Sequence, residues 1–548
     1  MGQWTSPPTR RELSLLVFCV AIFILAYNID ASLRLVGLSA PHATLSAPIG
    51  PDGRRPEAYR DGLEDEIFGE WDWEAGRIAG VKAAEETRIK GAVGKAKGWG
   101  SSAKGWEDRY VHGEGLTGRM AMWLQGVGEG RYGQLDAELG LTSVNDESLK
   151  WGENVPRTTV VKHVPGYTIL DNVMFAFGTL FVVSDEPDSM PPAEELGSSL
   201  VDHSQPPRDI DWQILPGWNA LSKLGTYGGR IHGVTLMSYD DPQSTDARTI
   251  LALQRLYSTL NDSSTPLSPP HRLVFPSVPT FSDKKPDPDD GAIPRRRSSV
   301  GIHPYTFKAA YPSLAGALFS EDYDDFVGMN TPVMFDRLVI ADRGASARRG
   351  GDWARPFTDM QADVAWFEPA RRAMEDALAL GEAERGRAGL GKEVTYLVNQ
   401  RGLGLDAGVR PAGRLRDEDH KALLEALKGL RRSGVHVNVI EETTPWAERM
   451  RAVVRSAVTI GTFGDHLSDA VFMRPSLQTT LIELFPSGTY IRDWQVVMRS
   501  MGHNYIAFQS EQKFSGDSMP AVSLSNGEDV HIDAKAVVRA IKEELARR

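Results

Sequence analysis

The chain has 548 residues, 41% hydrophobic and 24% charged, with a formal net charge of −12. This is a globular composition, and the acidic balance excludes wholesale nucleic-acid binding, which requires a basic surface. The only cysteine, Cys19, lies in an apolar run, which excludes an intramolecular disulfide, a cysteine metal site and a thiol nucleophile in the soluble part.

That run, residues 13–27, reads LSLLVFCVAIFILAY, and extending it to 29 adds only one strongly polar side chain, Asn28. Burying each large side chain away from water recovers ~1.5–3 kcal/mol, so the segment favours a lipid-like environment. Arg10 and Arg11 precede it and Asp30 follows, so the positive flank is predicted to stay cytoplasmic. The reading is a cytoplasmic tail over 1–12 and a transmembrane signal anchor over 13–29. This makes a single-pass type II protein of the endoplasmic reticulum or Golgi membrane, with its large part lumenal. A cleaved signal peptide and a buried core helix fit the same segment, although Asp30 and Arg34 disfavour cleavage beside Ala31 and Ser32. The sequon Asn261-Asp262-Ser263 is compatible with glycosylation in a lumen.

Residues 30–155 read as a stem. They are rich in charge, Gly and Ala, with isolated Trp71, Trp73, Trp99 and Trp106. Gly80, Gly91, Gly94 and Gly98 weaken the helical tendency of 74–97. A small accessory domain is the alternative.

From 157 the texture changes. Short β-rich runs are predicted at 158–162 and 179–184, with a turn at Pro165-Gly166, then at 231–237 and 273–275. A Pro-, Ser- and charge-rich loop over 261–297 ends in Arg295-Arg296-Arg297. Thereafter strands at 336–341, 393–398, 435–440, 457–460 and 481–484 alternate with helices at 366–380, 417–430 and 445–454, and a last helix covers 534–545. Strands separated by helices of this length predict βαβ units and a parallel sheet. Such sheets bind ligands at the carboxyl ends of their strands, so the loops after Val398, Ile440, Ile460 and Leu484 are where a site belongs.

The loop after Ile460 is Gly461-Thr462-Phe463-Gly464-Asp465-His466-Leu467-Ser468-Asp469. Glycines after a strand permit close backbone approach, and a following helix start offers free N–H groups to a phosphate. A turn with a capping Asp fits these residues equally well.

A collinear series of segments over about 155–515 resembles glycosyltransferase family 61, in particular its fungal type II membrane branch. HVPGYTILDNVMFAFGTLFVVS (163–184) is similar to the family's HAPGW-T-x-FDN…NGTL entry. RIHGVTLMSYDDPQ (230–243), RLVFP (272–276), FDRLVIADR (335–343) and WFEPARR (366–372) follow. Then come VTYLVNQR (394–401), RLRDEDH (414–420), the glycine loop, IELFPSG (482–488) and RDW…MGHNYIAF (492–508). Two regions depart from the family. Its glycine loop, G-x-H-G-x-G-L-T-N/H, has Phe463, His466 and Asp469 in place of His, the second inner Gly and the terminal Asn or His. Its HYYHF-like run is replaced by residues 246–251, DARTIL, and the following Glu by Gln254.

The resemblance implies an α/β, GT-B-like fold of two Rossmann-like domains, an acceptor-side domain over 156–330 and a nucleotide-sugar-binding domain over 331–548. It implies inverting transfer from a UDP-sugar, xylose or N-acetylglucosamine, to a glycan or glycoprotein, with no obligatory metal or other cofactor. By position, Arg401, Arg416, Gly461, Gly464, Asp465 and Glu483 would contact the donor, with Glu483 at a strand end for the ribose. Asp246, the acid beside the altered histidine run, and His466 and Asp469 are the candidates for catalysis. Solvated charge for the arginines and a buried ion pair for Glu483 are the plainer alternatives, and His163 and His503 read as structural. A degenerate member of the same fold, serving as a scaffold or binding subunit, is the second reading. A lumenal hydrolase is third, since neither G-x-S-x-G nor HExxH occurs.

Overall fold

The computed structural model describes residues 148–547, apart from 242–245, 262–266, 280, 283–295, 298–299, 315–316, 329–330, 386–391, 400–412, 442–443 and 524–528. The apolar run at 13–29, most of the stem and Arg401 lie outside the described residues. No described helix is long and apolar enough to cross a membrane.

Two large sheets organise the chain. The first contains β1 (Ser148–Lys150), β2 (Thr159–Val164), β3 (Tyr167–Ala176), β4 (Thr179–Ser184), β5 (Trp212–Pro216), β6 (Tyr227–Ser238) and β7 (Arg272–Val274). After a small antiparallel pair, β8 (Phe281–Ser282) with β9 (Arg296–Arg297), it is completed by β10 (Ala317–Leu318) and β11 (Val333–Ala341). The order is β10-β7-β6-β11-β3-β4-β5, with β1 on β6 and β2 on β3. Strands β10, β7, β6 and β11 run parallel, and β3 runs against both β11 and β4. A helix, α1 (Ala247–Ser258), lies over β3, β6 and β11.

The second sheet contains β12 (Glu393–Leu397), β14 (His436–Ile440), β15 (Val458–Thr462), β16 (Thr480–Phe485), β17 (Asn504–Gln509) and β18 (Gln512–Ser515). A separate small pair is formed by β13 (Arg414–Leu415) and β19 (Asp529–Val530). The order β14-β12-β15-β16-β17 is parallel throughout, and β18 returns antiparallel. Counted along the chain these parallel strands run 2-1-3-4-5, the doubly wound order whose direction of winding reverses between β12 and β15. Every side chain of β16, TLIELF, is buried, as a strand covered on both faces requires.

One apolar cluster runs continuously from the first sheet to the second. It takes Tyr167, Leu236 and Val339, passes through Trp353, Trp366 and Phe367, and reaches Ile460 and Ile482. Leu170, Val182, Trp212 and Leu338 form a second cluster. Adjacent Leu338 and Val339 therefore belong to different clusters, the period-two alternation of a strand buried on both faces.

Two expected boundaries move. Strand β11, assigned from sequence to the second unit, is central to the first sheet, pairing with β6 and β3 over its length, so a division at 330/331 falls one strand early. Its run reads as a doubly covered strand in either unit, and only the register decides. The segment counted as stem also ends sooner: β1 pairs with β6, and Trp151 and Val155 are core residues.

Candidate functional site

The carboxyl ends of the parallel strands of both sheets meet. After β6 come Tyr239 and Asp240, and after β11 come Asp342 and Arg343, which open helix α2 (Arg343–Arg348). Asp246 caps α1, its carboxylate accepting from the Arg248 N–H at 2.9 Å. From the second sheet, β15 leads into Phe463, Gly464 and Asp465, while β16 leads toward α3 (Asp493–Ser500).

Two buried arginines bind these ends together. Arg343 makes a two-pronged contact with Asp246 at 3.0 and 2.7 Å, reaches Asp240 at 3.1 Å and donates to Thr249 at 2.8 Å. Arg248, 2% exposed, pairs with Asp246 and, across the sheets, with Asp493; its next carboxylate, Asp465, is 3.6 Å away. The Trp353 indole donates to Asp493 at 2.9 Å, and its ring lies 5.9 Å from the Arg248 guanidinium carbon. Fork-shaped pairs of this kind are the strong class of charge-assisted hydrogen bond.

These surroundings set the carboxylates apart. Burial raises the Asp246 carboxyl, but Arg343 and Arg248 together outweigh it and hold the group well below the usual range. Asp342 is the opposite case: burial pushes it up to about 7, its Oδ1 accepts from the Ala345 N–H and Ser198, and its Oδ2 has no hydrogen-bond partner. Asp465 is also raised, first by loss of hydration and then by Asp246 and Asp493 against the pull of Arg248.

The glycine loop divides between strand and turn. Gly461 is inside β15, opposite Leu397 and Glu483, and a β-carbon there would stand 2.6 Å from Leu467 Cδ2. Gly464 has φ +145°, and its carbonyl accepts from the Trp494 indole at 3.0 Å. It precedes a 3-10 turn, Asp465–Phe472. Phe463 is 1% exposed and stacks on Phe485 with ring centres 5.5 Å apart.

The residues expected at the site fall into different surroundings. Asp246 is held by two guanidiniums and a backbone N–H, so its lone pairs are engaged and its basicity is low, which argues against its service as a proton acceptor. Asp469 is ion-paired with Arg449, whose guanidinium also reaches the His466 carbonyl at 3.3 Å. The His466 ring is kept neutral, its pKa lowered to about 3 by burial and then by Arg449, and Nε2 has no hydrogen-bond partner. It therefore offers no charged bond to a phosphate at neutral pH. Glu483 lies in the middle of β16, 2% exposed, accepts from the Tyr505 hydroxyl at 2.5 Å and is raised well above the ordinary range by burial. A mid-strand position replaces the expected strand end. Arg416 is exposed at the start of the helix Asp417–Arg431, where its N–H donates to the Val530 carbonyl at 3.2 Å. Asn261 is exposed just beyond α1. His163 bonds Thr168 at 2.8 Å and Glu195 at 3.2 Å, and His503 is buried at 4% exposure; neither touches the junction.

Arg248, Arg343, Asp240, Asp342, Trp353 and Asp493 were not singled out from sequence. The signal available was their position: Asp342 immediately follows the strand predicted at 336–341 and Asp240 lies three residues beyond the one at 231–237, where site residues of α/β sheets gather. Among the described residues no group of three or more His, Cys, Asp or Glu is arranged to hold a metal. No protein-family model matches the chain, and no curated protein matches it in sequence.

Proposed function

We propose that the chain is an inverting glycosyltransferase of the family-61 type. It would use a UDP-sugar, xylose or N-acetylglucosamine, and act on a glycan or glycoprotein in the lumen of the endoplasmic reticulum or Golgi, anchored by residues 13–29. In this reading the two sheets are the two halves of a GT-B fold. One observation carries it: the carboxyl ends of two separate sets of parallel strands converge on a single polar junction. The second set has the doubly wound order whose reversal point, between β12 and β15, is flanked by Gly461 and Gly464. Doubly wound sheets bind nucleotides at that crevice, with strand-end loops and helix starts around the phosphates. Transfer would need a base on the acceptor hydroxyl and stabilisation of the departing diphosphate. Isothermal titration of the full chain in detergent with a panel of UDP- and GDP-sugars tests the reading, and saturable binding of a UDP-sugar is expected.

A second reading, a catalytically degenerate scaffold or binding subunit of the same fold, is favoured by the engagement of Asp246 and Asp469 in ion pairs and the neutral His466 ring. It requires that no nucleotide sugar bind even at millimolar concentration.

A further inference from the structure

We propose that Asp465 is the catalytic base of this reaction, a role that rests on the transferase reading above. Four carboxylates meet the two arginines at the junction, and three are engaged. Asp240 holds the Arg343 N–H and side chain and the Thr249 hydroxyl; Asp246 holds both guanidiniums; Asp493 holds Arg248 and the Trp353 indole. Among the described residues Asp465 has one ion contact, at the long distance of 3.6 Å. Its side chain is 37% open to solvent, against 12% for Asp246 and 14% for Asp493. It is also the first residue beyond the backbone turn at Gly464, at the carboxyl end of the strand that bounds the reversal point.

The charge argues the same way. A carboxylate at this position would repel a diphosphate, so contact with the donor's phosphates, the role given it by sequence position, does not suit it. Contact with the acceptor hydroxyl does. In the step, the acceptor oxygen forms a bond to the anomeric carbon while that carbon's bond to the diphosphate oxygen breaks. The bonding pair leaves with UDP, the hydroxyl proton passes to Asp465, and the configuration at the carbon inverts. Arg248, Asp246, Asp493 and Arg343 are the charged groups acting on Asp465; the two acids oppose the two arginines, and partial dehydration tips the balance toward greater basicity. A base is most effective with its pKa near the working pH, which is the direction of this shift.

The test uses the full chain in detergent with UDP-xylose and UDP-N-acetylglucosamine, reading donor affinity by calorimetry and inverted free sugar from transfer to water. Asp465→Asn is expected to bind the donor within about twofold of the unaltered protein while turnover falls by roughly 10²–10⁴ and the acid limb of the kcat/KM profile disappears. Azide, an anionic nucleophile that has no proton to lose, should restore turnover to Asp465→Ser and yield an inverted glycosyl azide. A bound donor with unchanged turnover in Asp465→Asn, or no azide product from Asp465→Ser, overturns the role alone. Failure of the unaltered protein to bind either donor or any other nucleotide sugar overturns the transferase reading, and the role with it.

Discussion

Arg343 grips Asp246 with both terminal nitrogens, at 3.0 and 2.7 Å, although the two residues are 97 positions apart. The pair joins the end of the central strand β11 to the cap of α1, and both side chains are largely buried, at 16% and 12% exposure. Replacing Arg343 by Met leaves Asp240 and Asp246 without their shared cation. Removing one partner of a buried pair costs about 3–5 kcal/mol, because the other charge stays buried. Urea denaturation of Arg343→Met should show a loss of that order, and a loss below about 1 kcal/mol would mean that the pair does not hold the junction. Asp246 has a depressed folded pKa, so its contribution is fully present above the unfolded carboxyl value and is lost as pH falls through the folded one. Acid unfolding of Asp246→Asn should therefore lack that part of the slope.

Asp342 works with the opposite sign. With its pKa raised to about 7, the folded state keeps a proton that the unfolded state releases near pH 4. Stability is therefore highest below pH 4 for this group and declines as pH rises from about 4 to about 7. Asn has the shape of the protonated acid and retains the Oδ1 acceptor used by Ala345 and Ser198. Asp342→Asn is expected to match the unaltered protein at pH 4 and exceed it at pH 8, by thermal melting across that range. Equal melting differences at both ends would refute the assignment.

Much of the second sheet was legible because its strands are short apolar runs set between helices. Strand β12 covers 393–397 against a predicted 393–398, and the last helix, Ala534–Leu545, coincides with its prediction. Strand β3 was not predicted, because Asp171 and Asn172 interrupt its apolar pattern. The structure supplies the reason they are tolerated: Asp171 pairs with Arg337 of β11 at 2.7 and 2.8 Å, while Asn172 takes φ +58° between Asp171 and Val173, whose pairing with β11 keeps one register. The candidate site was legible as residue types but not as pairings. Nothing local in sequence links Arg248 to Asp493, 245 positions away, and that link determines which acids are engaged.

Buried histidines give an acid-sensitivity of a different kind. His466 and His503 have pKa values lowered to about 3, and His271 to about 4, in each case chiefly by burial. Each is neutral when folded and takes a proton on unfolding below pH 6.5, so stability from these groups falls as pH drops from 6.5 toward 4. His466→Leu removes one of them together with the unpartnered Nε2. Its stability relative to the unaltered protein should improve as the pH is lowered through that window, by up to about 1.4 kcal/mol per pH unit. A pH-independent difference between the two would show that His466 is solvated and protonates in the native state.

Gly464 is the position where backbone and proposed chemistry meet most directly. Its φ of +145° is a conformation that L side chains rarely adopt, and its carbonyl is fixed by the Trp494 indole. Any side chain here forces the loop either to accept strain of about 1–3 kcal/mol or to rotate and give up that bond. Gly464→Ala is therefore expected to lower stability by that amount, with the loss visible in urea denaturation at pH 7. Because the rotation displaces the backbone N–H groups that follow, which the transferase reading sets against the diphosphate, donor affinity should fall as well. Gly488 serves as the control: it has φ +77° but lies in open space in the turn after β16, so Ala there should cost stability without changing donor affinity. If Gly464→Ala loses stability yet binds UDP-sugar as tightly as the unaltered chain, the loop after β15 does not touch the donor and the nucleotide must lie elsewhere along the junction.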